Sequence, residues 1–170
     1  MEDVELRSFW DDAKIRAGLN PADGYFGRTA ADTVLPAAWS FGDTPEEADR
    51  LLDLMLQGRR TATSSAAWEY DDELPEAGVL SIVLDGDEHP RALIASTEVS
   101  VTRFGDVDEA HARREGEESL ESWRRTYRAL LARRAPEGVT VDDDTQVVLE
   151  RFTVLVPVSA AHAAKRAGLD

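Results

Sequence analysis

The run Gly58-Arg59-Arg60-Thr61-Ala62-Thr63-Ser64-Ser65 sets a glycine and two guanidinium groups beside four hydroxyls. What precedes it limits how it can fold. Thr44 stands at a helix N-cap position, Pro45 suits the first helical turn, and Glu47 completes a capping box. Ala48, Leu51, Leu52, Met55 and Leu56 follow as one apolar face at helical spacing. Gly58 then falls where a chain leaving a helix passes through the left-handed region. The pattern predicts a helix over 45–57 and a strand over 59–65, so a rigid helix end delivers cations and hydroxyls into extended backbone. Such a segment can hold an anion or activate a hydroxyl. The same residues also read as plain β-formers, with cations placed after a helix C-terminus for dipole reasons alone.

The rest of the chain supplies a frame. Val4, Phe9, Trp10, Ala13 and Ala17 predict a first helix over 2–17. From Gly18 to Asp43, with Pro21, Gly24, Gly27, Pro36 and Gly42, the chain reads as irregular, and a segment that long wraps a core or lines a site. Val79–Leu84 is a short apolar strand, Asp85-Gly86-Asp87 a hairpin signal, and 91–103 a second strand. In that strand Ala92, Ile94, Ser96, Glu98 and Ser100 are expected on one face, with Leu93, Ala95, Thr97, Val99 and Val101 on the other. A helix over 107–115 closes at Gly116, and another opens at Ser119 with Leu120, Trp123, Tyr127, Leu130 and Leu131 as its buried stripe. Residues 134–145 are a polar loop, Gln146–Val156 a last strand, and the Ala-rich end after Pro157 a loose terminal helix. The fold class is α+β: a small, mostly antiparallel sheet or barrel with inserted and flanking helices.

Composition narrows the function. With 170 residues and 42% apolar content the chain forms one domain with a real core. It has no cysteine, which excludes disulfides, thiolate metal sites and a cysteine nucleophile. His89, His111 and His162 are scattered, Asp142-Asp143-Asp144 reads as a solvated loop, and no phosphate loop or dinucleotide fingerprint is present, so neither metal nor other cofactor is expected. No apolar run approaches ~18 residues and the acidic N-terminus is no signal peptide, so a soluble cytoplasmic protein without membrane contact is the expectation. The net charge of −15 argues against tight binding of long duplex nucleic acid, yet leaves room for a nucleoside or short RNA end in a local arginine pocket.

The order of the pieces resembles the ASCH domain family, whose fold is similar to the PUA domain. The resemblance rests on Trp39-Ser40-Phe41-Gly42-Asp43, Gly58–Ser65 running into Trp68-Glu69-Tyr70, Leu80–Gly86, Glu115-Gly116-Glu117 with Ser119-Leu120 and Trp123-Arg124, and Glu150-Arg151-Phe152. It covers roughly 39–156, leaving 1–38 as an N-terminal helix and irregular segment packed on the core and 157–170 as a C-terminal tail. The resemblance implies a PUA-like β-barrel with a cleft for a nucleoside, nucleotide or short RNA. It further implies either hydrolysis of a modified cytidine amide, non-catalytic RNA or nucleotide binding, or ribonuclease activity.

Matching the signature Gly-x-Lys-x-x-Thr-x-Arg puts Arg60 at the lysine, Thr63 at the threonine and Ser65 at the final arginine. The family's glutamate falls on Glu115, through His111-Ala112-Arg113-Arg114-Glu115. Arg60, Thr63 and Glu115 are thus the catalytic candidates. Arg59, Ser64, Ser65, Trp68, Tyr70 and Arg124 are the substrate-binding ones. Arginine stays protonated and cannot replace a lysine base, although it can hold an anion or a carbonyl. Glu115 ends a helix, where the macrodipole disfavours negative charge, which predicts a raised pKa and acid–base use. The competing expectation is that Arg113 and Arg114 neutralise it at the surface. Trp123 and Tyr127 lie on the buried stripe and are expected in the core.

Overall fold

A computed structural model describes residues 2–19, 34–71 and 73–169. The described helices are α1 (Glu2–Arg16), α2 (Pro45–Leu56), α3 (Glu109–Arg114), α4 (Leu120–Arg134) and α5 (Val158–Arg166). The strands are β1 (Ala37–Ser40), β2 (Ala62–Ala66), β3 (Leu80–Leu84), β4 (Pro90–Arg103) and β5 (Gln146–Val156). They form one curled half-barrel sheet in the order β1-β3-β4-β5-β2. β1 runs parallel to β3 and every other pairing is antiparallel. This is the expected α+β, PUA-like, mostly antiparallel architecture.

Capping chemistry sets α2. Thr44 accepts a hydrogen bond from the Glu47 amide at 3.2 Å, while the Glu47 carboxylate reaches back to the Asp43 amide at 2.9 Å. At the other end Gly58 has φ +73°. Its amide donates to Met55 O at 2.9 Å and the next amide, of Arg59, to Leu54 O at 2.8 Å, a Schellman closure.

The central strands are covered on both faces, which explains their continuous apolar runs. Val83 and Ile94 join Leu52, Met55, Phe152 and Ala160 under α2 and α5. Their neighbours Ile82 and Leu93 point the other way and meet Trp10 and Ala13 of α1. A third cluster packs Trp123, Tyr127 and Leu131 of α4 against Phe104, Ala112 and Val147.

Three sequence expectations change. Ala37–Ser40 is a strand rather than part of an irregular stretch, because its backbone completes the edge beside β3. Residues 20–33, which fall in that stretch, lie outside the described residues. The alternation along β4 is broken by a bulge between Ser96 and Glu98, so Val99 rather than Glu98 lies opposite Glu150. The end of the chain is docked rather than loose: Ala160 is fully buried, and a Cβ built on Gly58 would lie 2.2 Å from the Ala164 amide. Alanine supplies the small face that this close approach needs.

Candidate functional site

The chain leaves Gly58 tied to two other elements. The Thr61 amide donates to Arg114 O at 2.7 Å, and Thr61 O accepts from the Phe152 amide at 3.0 Å. These bonds fix the entry to β2 between α3 and β5 and send the Arg60 side chain inward, where the residue is 3% exposed. Arg60 Nη1 donates to Glu115 O at 2.7 Å, and Nη2 donates to Thr63 Oγ1 at 3.2 Å. Nη2 also lies 3.4 Å from Glu115 Oε2, and the guanidinium sits 4.6 Å from the Phe41 ring centroid.

Glu115 caps α3 as expected, but its side chain turns into the core and the residue is 1% exposed. Oε1 accepts from Ser64 Oγ and from Trp123 Nε1 at 2.9 Å, and Oε2 accepts from Tyr127 Oη. His111 Nε2 lies 2.8 Å from both Glu115 Oε1 and Ser64 Oγ. Burial alone would raise the Glu115 pKa. The hydrogen bond from His111, the charge of Arg60 and the Ser64 hydroxyl outweigh it and hold the carboxyl below its ordinary value. The helix-end argument for a raised value is therefore overturned by His111 of α3 itself, by Arg60 just before β2 and by Ser64 of β2. Surface neutralisation does not occur either, since Arg113 pairs with Glu109 and Arg114 donates to Leu169 O. Tyr127 moves the other way: burial first, then the Glu115 charge, raises its hydroxyl well above the ordinary value and keeps it a donor.

In front of this buried frame lies a cavity of about 570 Å³. Its wall includes Thr63, Ser65, Tyr70, Ser96, Glu150 and Trp39. Ser65 Oγ and Tyr70 Oη are 2.8 Å apart. Burial raises the Tyr70 pKa, and the Glu150 and Glu69 charges act in the same direction. Ser96 Oγ donates to Glu150 Oε1. Across the rim Arg134 donates to Asp43 at 2.7 Å and to Glu69 at 3.4 Å, linking the end of α4 to the turn before α2 and to the segment after β2. Arg50 also lines the rim.

The predicted residues divide by place. Arg60, Thr63, Ser64, Ser65 and Tyr70 line the cavity, and Glu115 sits sealed behind them. Arg59 points outward to solvent, on the opposite side of the strand entry from Arg60. Trp68 is carried by the turn after β2 against the α4 cluster, and Arg124 donates to Gly105 O at 3.0 Å. These three stand apart from the cavity wall. Trp123 and Tyr127 are in the core, as expected. Sequence reasoning missed His111, Ser96 and Glu150. His111 was recoverable, because it lies four residues before Glu115 on the same helical face. Ser96 and Glu150 were hidden, because they meet only through the pairing of β4 with β5, where Ser96 lies opposite Phe152 and diagonal to Glu150.

A smaller cavity of about 200 Å³ lies between Glu98, Asp106, Asp108 and Arg151. Among the described residues no three of His, Cys, Asp and Glu converge as metal ligands, and no helix is long and apolar enough to cross a membrane.

Solved structures similar to this chain include the following two. One, a protein of Enterococcus faecalis V583 assigned to family DUF984, is 29% identical with TM-score 0.75, over 88% of this chain and 87% of that one. The other, an ASCH domain from Lactobacillus crispatus JV V101, is 25% identical with TM-score 0.74, over 89% and 94% respectively. No curated protein matches. The ASCH domain family model matches residues 37–156, which takes in the whole sheet, the Arg60–Glu115 frame and the cavity wall: the chain belongs to the ASCH domain family.

Proposed function

We propose that this protein binds a nucleoside, a nucleotide or a short RNA end in the cavity in front of Thr63. The carrying observation is the cavity itself. Its volume of about 570 Å³ suits a nucleotide, and its wall combines hydroxyls, an aromatic ring and a rim cation. ASCH domains are a family proposed to bind RNA or nucleotides, which agrees with this reading. Arg50 has no ion-pair partner among the described residues and is free to meet a phosphate.

On this reading Arg60 and Glu115 are a frame rather than an acid–base pair. Arg60 cannot accept a proton, and the Glu115 oxygens are already occupied by buried donors. Thr63 contributes a hydroxyl that faces the ligand. Binding without turnover is therefore favoured over hydrolysis of a cytidine amide and over RNA cleavage. Calorimetric titration with cytidine and adenosine monophosphates tests the proposal, with dissociation constants on the order of micromolar expected, about −8 kcal/mol. Absence of heat and of any competing signal for all four common monophosphates would remove it. Release of cytidine from N4-acetylcytidine, lost in Thr63→Ala, would replace binding with turnover.

A further inference from the structure

Glu150 stands out within the cavity. It is 9% exposed, it lines the wall, and it belongs to no ion pair among the described residues. Ser96 Oγ donates to Oε1, and among the described residues no other side chain bonds to the carboxylate. The second oxygen is not sealed off and opens onto the cavity, where a ligand donor can reach it. Directly opposite in the β2–β5 register stands Thr63, so the two side chains share the cavity face with Cβ atoms about 5 Å apart. Arg60 Nη2 donates to Thr63 Oγ1. Guanidinium has no acceptor, so this bond uses an oxygen lone pair and leaves the threonine proton to be offered elsewhere. The wall thus presents an acceptor beside a donor.

We infer that Glu150 and Thr63 form an edge-reading pair that selects a base carrying an amino group next to a ring nitrogen acceptor. Cytosine offers N4–H to Glu150 and N3 to the Thr63 hydroxyl, and adenine offers N6–H and N1 in the same order. Uracil and hypoxanthine present the reverse order, a carbonyl against the carboxylate and an N–H against the hydroxyl. The Thr63 hydroxyl, with its second lone pair, can accept that N–H, so the discriminating mismatch is the carbonyl against the carboxylate, acceptor facing acceptor. The inference rests on the nucleotide reading above and names the base that reading leaves open.

The test is calorimetric titration of the full chain with four probes: the monophosphates of cytidine, uridine, adenosine and inosine. Cytidine monophosphate is expected to bind at least about tenfold tighter than uridine monophosphate, about 1.4 kcal/mol, with the same order for adenosine over inosine. Glu150→Gln retains the shape and can turn its amide N–H toward O4, so the cytidine-over-uridine ratio is expected to fall to one or invert. Thr63→Val removes a hydroxyl that serves either base, so both affinities are expected to fall while the preference for cytidine remains. Circular dichroism and melting curves establish that both variants fold. Equal affinity for all four nucleotides in the wild type overturns the inference and leaves nucleotide binding standing. A preference for the amino bases that survives Glu150→Gln overturns the assignment to Glu150. Binding of none of the four removes the nucleotide reading and this inference with it.

Discussion

Replacing Glu115 by glutamine keeps the side-chain volume and removes the charge on which the buried frame is built. Arg60, 3% exposed, then has no counter-charge within its first contacts, and its ion pair to Oε2 at 3.4 Å is lost. The new amide nitrogen must also face donors, because Ser64, Trp123 and Tyr127 all donate to the native oxygens. Breaking a buried pair from one side costs about 3–5 kcal/mol, against a total stability of about 5–15 kcal/mol for a domain. For a chain of 170 residues this lowers the melting temperature by about 6–20 °C. Urea unfolding followed by tryptophan fluorescence reads the change, and Trp123 reports from inside the frame. Pairing the variant with Arg60→Met completes a double-mutant cycle. The double variant removes both charges of this pair, so it should be more stable than the sum of the singles by about 1–3 kcal/mol. A loss below about 1 kcal/mol for Glu115→Gln, or strict additivity, would refute the reasoning.

Acid lability follows from the same group. The folded-state pKa of Glu115 lies below its ordinary 4.5, so its contribution to stability is complete above that value and is lost as pH falls below it. The wild type should lose stability on the acid side, and Glu115→Gln should lack that part of the slope in unfolding curves taken across pH. Gly58→Ala combines a left-handed φ of +73° with a contact of 2.2 Å to the Ala164 amide, and should cost more than about 2 kcal/mol. Gly138→Ala, at φ +81° in open space, should cost only about 1 kcal/mol, so equal losses in denaturant titrations would contradict the packing of α5 on α2. Arg50→Ala should weaken cytidine monophosphate binding about fivefold, as expected for an exposed charge contact, while leaving cytidine unaffected in the same titration.

Local chemistry was readable wherever one short segment decides the outcome. Thr44, Gly58 and Ser119 mark their helix ends because capping involves only the next few residues. The site was partly legible for the same reason: Arg60, Thr63, Ser64 and Ser65 leave α2 in a fixed direction. What failed depends on other elements. Ala37–Ser40 is a half-exposed edge strand, and its four residues show no alternation to announce it. The position of Glu115 at a helix end was correct, yet its acidity is governed by His111, Arg60 and Ser64, of which Arg60 and Ser64 reach it only through the tertiary fold. Glu150 looks like an ordinary polar residue on a strand until the pairing of β4 with β5 places Ser96 against it.

The most direct test is a titration of isotopically labelled protein with cytidine monophosphate, followed by backbone amide and threonine methyl resonances. The account predicts saturable shifts at Thr63, Ser65, Tyr70, Ser96, Glu150 and Arg50, the residues around the larger cavity. Absence of shifts, or shifts confined to Asp106, Asp108 and Arg151 around the smaller cavity, would contradict it.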